Sequence, residues 1–249
     1  KNQNLVKKIS ELKLMNFFKG LGSYFDKVQR MRKLGGMISD EFLISKEKVE
    51  LSASICKTDL TSGLVSEFPE LQGVMGGYFS SYQGFDKDIS QALTEQYLPI
   101  GFNSKVPKKP FSVALTITDK IDTIVGFFGI NEKPTSSKDP LALRRIALGI
   151  IRTVIENKKN LKINDLLNYS SSLYQDQGYK LFNKDLQKDL HHFLKDRFKY
   201  YLREKNIRYD IIDAVISSSS LNKLFSSYEK ARCLNKIINS QMGKDITSS

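Results

Sequence analysis

The chain has 249 residues, 40% of them hydrophobic and 10% aromatic, which is enough for one large domain or two small ones and too apolar for wholesale disorder. Its 39 Lys and Arg against 27 Asp and Glu leave a formal charge of +12, which favours a polyanionic partner, nucleic acid first, because neutralised phosphates release counterions. No apolar run approaches the ~18 residues of a membrane helix, no signal-peptide core follows the Lys-rich start, and two cysteines without CxxC spacing suggest neither a zinc site nor a disulfide framework. A reducing cytoplasmic location is therefore expected, and a start at Lys1 reads as a piece of a longer protein.

The basic excess is uneven: residues 1–34 hold nine Lys or Arg against Glu11 and Asp26. From Ser45, the residues Val49, Ala53, Cys56, Leu60 and Leu64 recur at helical steps, which predicts a helix ending near Phe68-Pro69 with Cys56 as a buried free thiol. In "GVMGGYF", Gly73, Gly76 and Gly77 follow no strand, so they read as points of close helix approach rather than a phosphate cradle. "DISQALTEQYLP" predicts a helix stopped by Pro99, and "FNSKVPKKP" a loop. "SVALTITDKIDTIVGFFGI" is rich in β-branched residues. Even so, Ala114, Ile117, Ile121, Ile124, Val125 and Phe128 keep a 3.6 period over a length that favours helix. Asp119 and Asp122 share the side away from that stripe. Interleaved with Lys120 they read as a solvated face, with a metal or general-base pair as the sharper alternative.

After the loop "NEKPTSSKDP", the stretch "KDPLALRRIALGIIR" (138–152) predicts a helix capped by Asp139 with Pro140 in its first position. Leu143, Ile146, Ala147, Ile150, Ile151, Val154 and Ile155 form its core stripe. Beside that stripe, Arg145 and Arg152 lie seven apart and nearly in register, with Lys159 close to the same line and Arg144 one step around the cylinder. The ridge reads either as a solvated flank with local ion pairs or as a contact for phosphate or carboxylate, which the planar fork of Arg suits. Arg144, Arg145, Arg152, Lys138 and Lys159 are the candidate nucleic-acid-binding residues; Arg144, off the line, is the one most expected to brace structure instead.

An aperiodic stretch near 156–165 suggests a boundary, dividing the chain into 1–160 and 161–249. Beyond it, "KDLQKDLHHFLKDRFKYYLREKN" places Leu186, Leu190, Leu194, Phe198 and Tyr201 on one side of a helix. "SSSS" at 217–220 marks a break, and "GKDITSS" a frayed tail. His191 and His192 are adjacent on a helix, point about 100° apart and cannot chelate one ion together. No GxSxG or Walker loop is present, and neither an internal repeat nor a strand ladder is evident. The expected fold is all-α, in a chain that binds and positions and carries no complete active site.

Four runs, "KTDLTSGLVSEFPELQGVMGGYF" (57–79), "ALTEQYLP" (92–99), "TDKIDTIVGFFGI" (118–130) and "PTSSKDPLALRRIALGIIR" (134–152), together resemble the β subunit of the bacterial tetrameric glycyl-tRNA synthetase. Weaker echoes are "LGSYFDKVQRM" (21–31), "RFKYYL" (197–202) and "DIIDAV" (210–215), so the resemblance covers nearly the whole chain in one order. It implies an internal fragment of a glycine–tRNA ligase subunit, without the C-terminal anticodon-binding domain. The aminoacylation site with its ATP and Mg would lie on the separate α subunit, and no cofactor is implied on this chain. Implied partners are tRNA(Gly), the α subunit and a second β subunit in a two-α, two-β assembly. The resemblance further implies an HD-like helical bundle over 1–160 followed by a second helical segment. The metal-binding His-Asp dipeptide of true HD enzymes is missing, with Tyr82-Gln83 where some relatives carry one. Asp119 or Asp122 would correspond to the distal HD aspartate. A metal-dependent HD-type phosphohydrolase and a basic helical interaction module are the alternatives.

Overall fold

A computed structural model of the chain describes residues 4–135 and 137–240, so the expected frayed tail at 243–249 lies outside the described residues. Helices α1 (Leu5–Lys8), α2 (Tyr24–Phe42), α3 (Lys46–Ile55), α4 (Gly63–Glu67), α5 (Val74–Tyr82) and α6 (Lys87–Glu95) lead to the long α7 (Pro110–Gly129). There follow α8 (Leu143–Glu156), α9 (Ile163–Asp176), α10 (Leu186–Glu204), α11 (Tyr209–Ser218) and α12 (Leu224–Ile238). The fold is all-α, as the periodicities predict. One small addition has no signal in the residue pattern, an antiparallel ribbon of β1 (Asn16–Phe18) and β2 (Gly22–Ser23) ahead of α2. Gly20 and Gly22 turn it with φ of 87° and 82°, and Phe18 anchors it edge-on against Phe127 with ring centroids 4.9 Å apart.

Helix α7 is the axis. It begins with Pro110, whose missing N–H would be unpaired there anyway, and packs against α2, α6, α8, α9 and α10. Neighbours on every side bury both of its faces. The expectation of a solvated face at Asp119, Lys120 and Asp122 is therefore wrong: they are 7%, 7% and 0% exposed. Periodicity identifies the helix correctly and its polar side wrongly, because a central helix with charged residues facing inward has the same pattern as a surface helix.

Two other expectations shift. The predicted helix through 45–68 is broken: α3 begins at the Ser45 cap and ends at Ile55, and α4 starts afresh at Ser62. Between them Thr58, Thr61 and Ser62 hydroxyls donate to the carbonyls of Ile55, Thr58 and Asp59, taking up backbone acceptors that an intact helix would have used. Cys56 is buried as expected, and its burial pushes the thiol pKa up to about 12. The helix expected from Asp139-Pro140 starts later, at Leu143, after Ala142 turns at φ 54°. Asp139 caps it nonetheless, reaching across that turn to accept from the Leu143 and Arg144 N–H groups at 2.8 and 2.9 Å.

One apolar cluster runs from Leu21 and Leu34 through the stripes of α7 and α8 to Leu190, Phe198, Ile212 and Ala231. It includes residues on both sides of position 160, in the short connection between α8 and α9. A second cluster, built on Val28, Met31, Ala53, Leu93 and Leu115, fills the space under α1, α3 and α6. The glycine cluster does allow a close approach: a Cβ on Gly77 would lie 1.9 Å from Thr94 Oγ1 and 2.7 Å from Ser90 O. Gly73 and Gly76 have a second task. Their N–H groups donate to Asp59 Oδ2 at 2.6 and 3.2 Å, so the glycine turn does bind an anion, the protein's own carboxylate.

Candidate nucleic-acid interface

The five basic candidates separate by what their side chains touch. Arg145 is exposed, and its guanidinium has no hydrogen bond or ion pair among the described residues. Lys138 and Lys159 are also exposed; Lys159 Nζ lies 5.5 Å above the Phe42 ring. Arg144 is half-buried and donates to the carbonyls of Thr135 and Lys138, tying the preceding loop to the start of α8. Arg152 is 6% exposed. Its guanidinium donates to Gly101 O at 2.6 Å, Ser104 O at 2.8 Å and Glu156 Oε1 at 2.8 Å, clamping the 101–104 loop onto α8. Angular register alone does not separate Arg145 from Arg152. A loop from elsewhere in the chain covers one of them and leaves the other open.

Beside Arg145 lies a cleft of about 390 Å³ between α2, the turn at Lys57, the Tyr97–Ile100 segment, α7 and the first turn of α8. Its charged lining is Lys27, Lys57, Lys120 and Arg145, against the single carboxylate of Asp119. Behind the wall, Asp122 accepts from Arg30 Nε at 2.6 Å and from Lys27 Nζ at 3.0 Å, with Tyr174 Oη at 3.3 Å. Lys27 Nζ also meets Asp119 Oδ1 at 3.0 Å, and Lys57 Nζ donates to Asp119 Oδ2 at 3.1 Å and Tyr97 Oη at 3.0 Å. Tyr97 Oη accepts a further bond from Gln72.

Burial and charge pull against each other throughout this network. Burial would raise the Asp119 carboxyl pKa, but Lys27, Lys57 and Lys120 outweigh it and hold the group far below the usual range. Burial would pull Lys57 down, and Asp119 with Tyr97 lifts it well above its ordinary value. Lys120 differs. Burial dominates and takes its ammonium down to about 8, Asp119 offsetting it only in part.

Sequence reasoning misses this cleft. Lys27, Lys57, Lys120 and Tyr97 come from four separate elements, and only the folded chain brings them together. The one available signal is the density of polar residues at 118–123, in the middle of the otherwise largely apolar α7.

The two aspartates do not fit a metal centre. Asp119 is ion-paired with Lys27 and Lys57, and Asp122 with Arg30 and Lys27, so a cationic nitrogen already stands within 3.1 Å of each of the four carboxylate oxygens, where a divalent cation would have to sit. Only Asp119 Oδ1, which meets Lys27 without hydrogen-bond geometry, lacks a hydrogen bond. Among the described residues no group of three or more His, Cys, Asp or Glu converges. No helix among the described residues is long and apolar enough to cross a membrane.

A family model described as the glycyl-tRNA synthetase beta subunit matches residues 1–217. A glycine–tRNA ligase beta subunit of Rickettsia canadensis is 38% identical over 247 residues, 99% of this chain and 35% of the relative. Those of Rhodospirillum centenum and Colwellia psychrerythraea are 34% and 37% identical, covering 93% and 87% of the chain and 32% and 31% of their own lengths. The chain thus spans about a third of the length of these curated relatives.

Proposed function

Because the chain belongs to the glycyl-tRNA synthetase beta subunit family, we propose that it acts within a glycine–tRNA ligase, in the cytoplasm, as a segment that helps bind tRNA(Gly). In this reading ATP, Mg and glycine are handled by the α subunit, and the assembly holds two α and two β chains. Residues 1–160 form an HD-like helical scaffold whose metal chemistry is gone, and 161–249 is the helical segment that follows.

The observation that carries the RNA reading is Arg145. It is a guanidinium left exposed and unpaired at the rim of a cationic cleft, in a chain of net charge +12. Lys138 and Lys159, likewise exposed, extend the candidate surface, whereas Arg144 and Arg152 act as braces beneath it. The HD-type phosphohydrolase reading loses its support, since it would need free oxygens on Asp119 and Asp122.

The test is glycylation by the assembled ligase carrying Arg145→Gln in this segment. The expected result is a raised KM for tRNA with glycine-dependent ATP–pyrophosphate exchange unchanged. Equal loss of both activities, or no change in KM, would overturn the assignment.

A further inference from the structure

Lys120 carries a charge that the fold does not balance. The residue is only 7% exposed, and its one hydrogen bond runs 3.4 Å to Tyr97 O. No carboxylate forms an ion pair with it among the described residues; the nearest, Asp119, is already shared between Lys27 and Lys57. An ammonium carries three donors, so most of this group's bonding capacity is unmet inside the protein. Burying such a charge without a partner is costly, and the site is built to bury it: Gly149 on α8 gives it room, since a Cβ there would meet Lys120 Cε at 2.7 Å. Asp59, the other acid near Lys57, is turned away to the N–H groups of Gly73 and Gly76. The cleft therefore holds four cationic side chains against one carboxylate, an excess of three positive charges.

We infer that this cleft is a seat for a phosphate monoester, with Lys120, Lys57 and Arg145 holding the phosphoryl dianion. The volume, about 390 Å³, lies in the range of small-ligand pockets and leaves room for more than a bare phosphate. Phe17, Tyr24 and Tyr97, with Ile100 and Ile146, give the rest of the lining an aromatic and apolar character suited to a nucleoside. The phosphoryl group belongs either to a free nucleotide or to the 5′ end of an RNA strand. The seat rests on the cleft's own charges and does not depend on the tRNA reading: Arg145 figures in both, but the deciding variant for the seat is Lys120→Met, a residue the tRNA reading does not use, and its readout is AMP binding rather than glycylation.

The experiment is calorimetric titration of the chain with AMP, inorganic phosphate and adenosine at fixed ionic strength, repeated with Lys120→Met and Arg145→Gln. AMP and phosphate are expected to bind, and adenosine is not. Lys120→Met weakens AMP by at least about tenfold, and Arg145→Gln, at the open rim, weakens it less and in a salt-dependent way. Between pH 7 and pH 9 the wild-type affinity for AMP falls about tenfold as the Lys120 ammonium, with its pKa near 8, loses its proton, while Lys120→Met shows no such fall. The groups facing Lys120 are Asp119 on its own helix, Lys27, Lys57, Tyr97 and, at the rim, Arg145. Competition between AMP and a 5′-phosphorylated oligoribonucleotide, against its 5′-hydroxyl form, supports the RNA end as the source; indifference to the 5′ group supports a free nucleotide. AMP binding no better than adenosine, or unchanged in a folded Lys120→Met, would overturn the inference.

Discussion

Replacing Asp122 with Asn removes one negative charge from the most enclosed part of the molecule and leaves the shape almost unchanged. Asp122 is fully buried and neutralises the Arg30 guanidinium, also fully buried, and the Lys27 ammonium, whose side chain is 2% exposed. In the variant Lys27 keeps only Asp119, which Lys57 already engages, and Arg30 keeps no ion pair among the described residues, only its hydrogen bond to Gln177. The amide must also turn N–H donors toward other donors. Breaking a buried pair by removing one partner costs about 3–5 kcal/mol, because the remaining charge has neither water nor a counterion. For a chain of this size, where about 1 kcal/mol moves the midpoint ~2–4 °C, that is a fall in Tm on the order of 10 °C. The assay is urea unfolding followed by circular dichroism, with Arg30→Met/Asp122→Leu as the control. That double variant removes both partners and is expected to recover much of the loss, since an apolar pair of similar volume in place of a buried ion pair is often neutral. A loss under about 1 kcal/mol for Asp122→Asn, or a double variant worse than the single, would refute this account of the network.

Lys120→Met is expected to raise stability at pH 7 by about 1–3 kcal/mol, because it deletes a buried ammonium whose pKa is held near 8. The folded pKa lies below the unfolded one, so the native state gives up the proton first and the penalty fades from about pH 8 to 10.5; melts at pH 7 and pH 10 should show the variant's advantage shrinking. Asp119 works in the opposite sense: its carboxyl is held below its ordinary value, so its contribution is complete above about pH 4 and is lost on further acidification, a dependence that Asp119→Asn should flatten in acid titration. Arg152→Gln unpins the 101–104 loop by removing the guanidinium donor to Ser104 O and one of the donors to Gly101 O, which keeps those of Ser104, and should lower stability by about 1–3 kcal/mol in thermal melts. Gly77→Ala forces a methyl against Thr94 and the Ser90 carbonyl and should cost about 1–3 kcal/mol in the same measurement.

Much of the architecture is legible in the sequence because apolar spacing reports helices directly: the stripes of α7 and α10 are buried where the periodicity places them, as is that of α8 apart from the partly buried Ile146. What spacing does not report is how many neighbours a helix has. Asp119, Lys120 and Asp122 look like a wet face in sequence and sit in the core because α2, α6, α8 and α9 surround α7. The same blindness puts Arg145 and Arg152 on one ridge, when the loop at 101–104 covers only the second. Short-range chemistry is more faithful than exact boundaries. Asp139 caps α8 from farther upstream than expected, with Ala142 supplying a left-handed turn that no residue type announces. The glycine cluster is legible as a packing feature at Gly77, but its pairing with Asp59, fourteen residues before Gly73, requires the fold.

The central claim is that the exposed basic rim of α8 faces RNA while the buried arginine beneath it does not. The most direct test is the salt dependence of tRNA(Gly) affinity in the assembled ligase, compared for wild type, Arg152→Gln and the triple variant Lys138→Gln/Arg145→Gln/Lys159→Gln. Every phosphate that is no longer neutralised flattens the log-affinity against log-salt slope by roughly 0.7–0.9. The account predicts a slope flatter by about 2–3 in the triple variant with an unchanged melting temperature, and an unchanged slope with a lower melting temperature in Arg152→Gln. A triple variant with the wild-type slope, or an Arg152→Gln that flattens the slope without loss of stability, would contradict it.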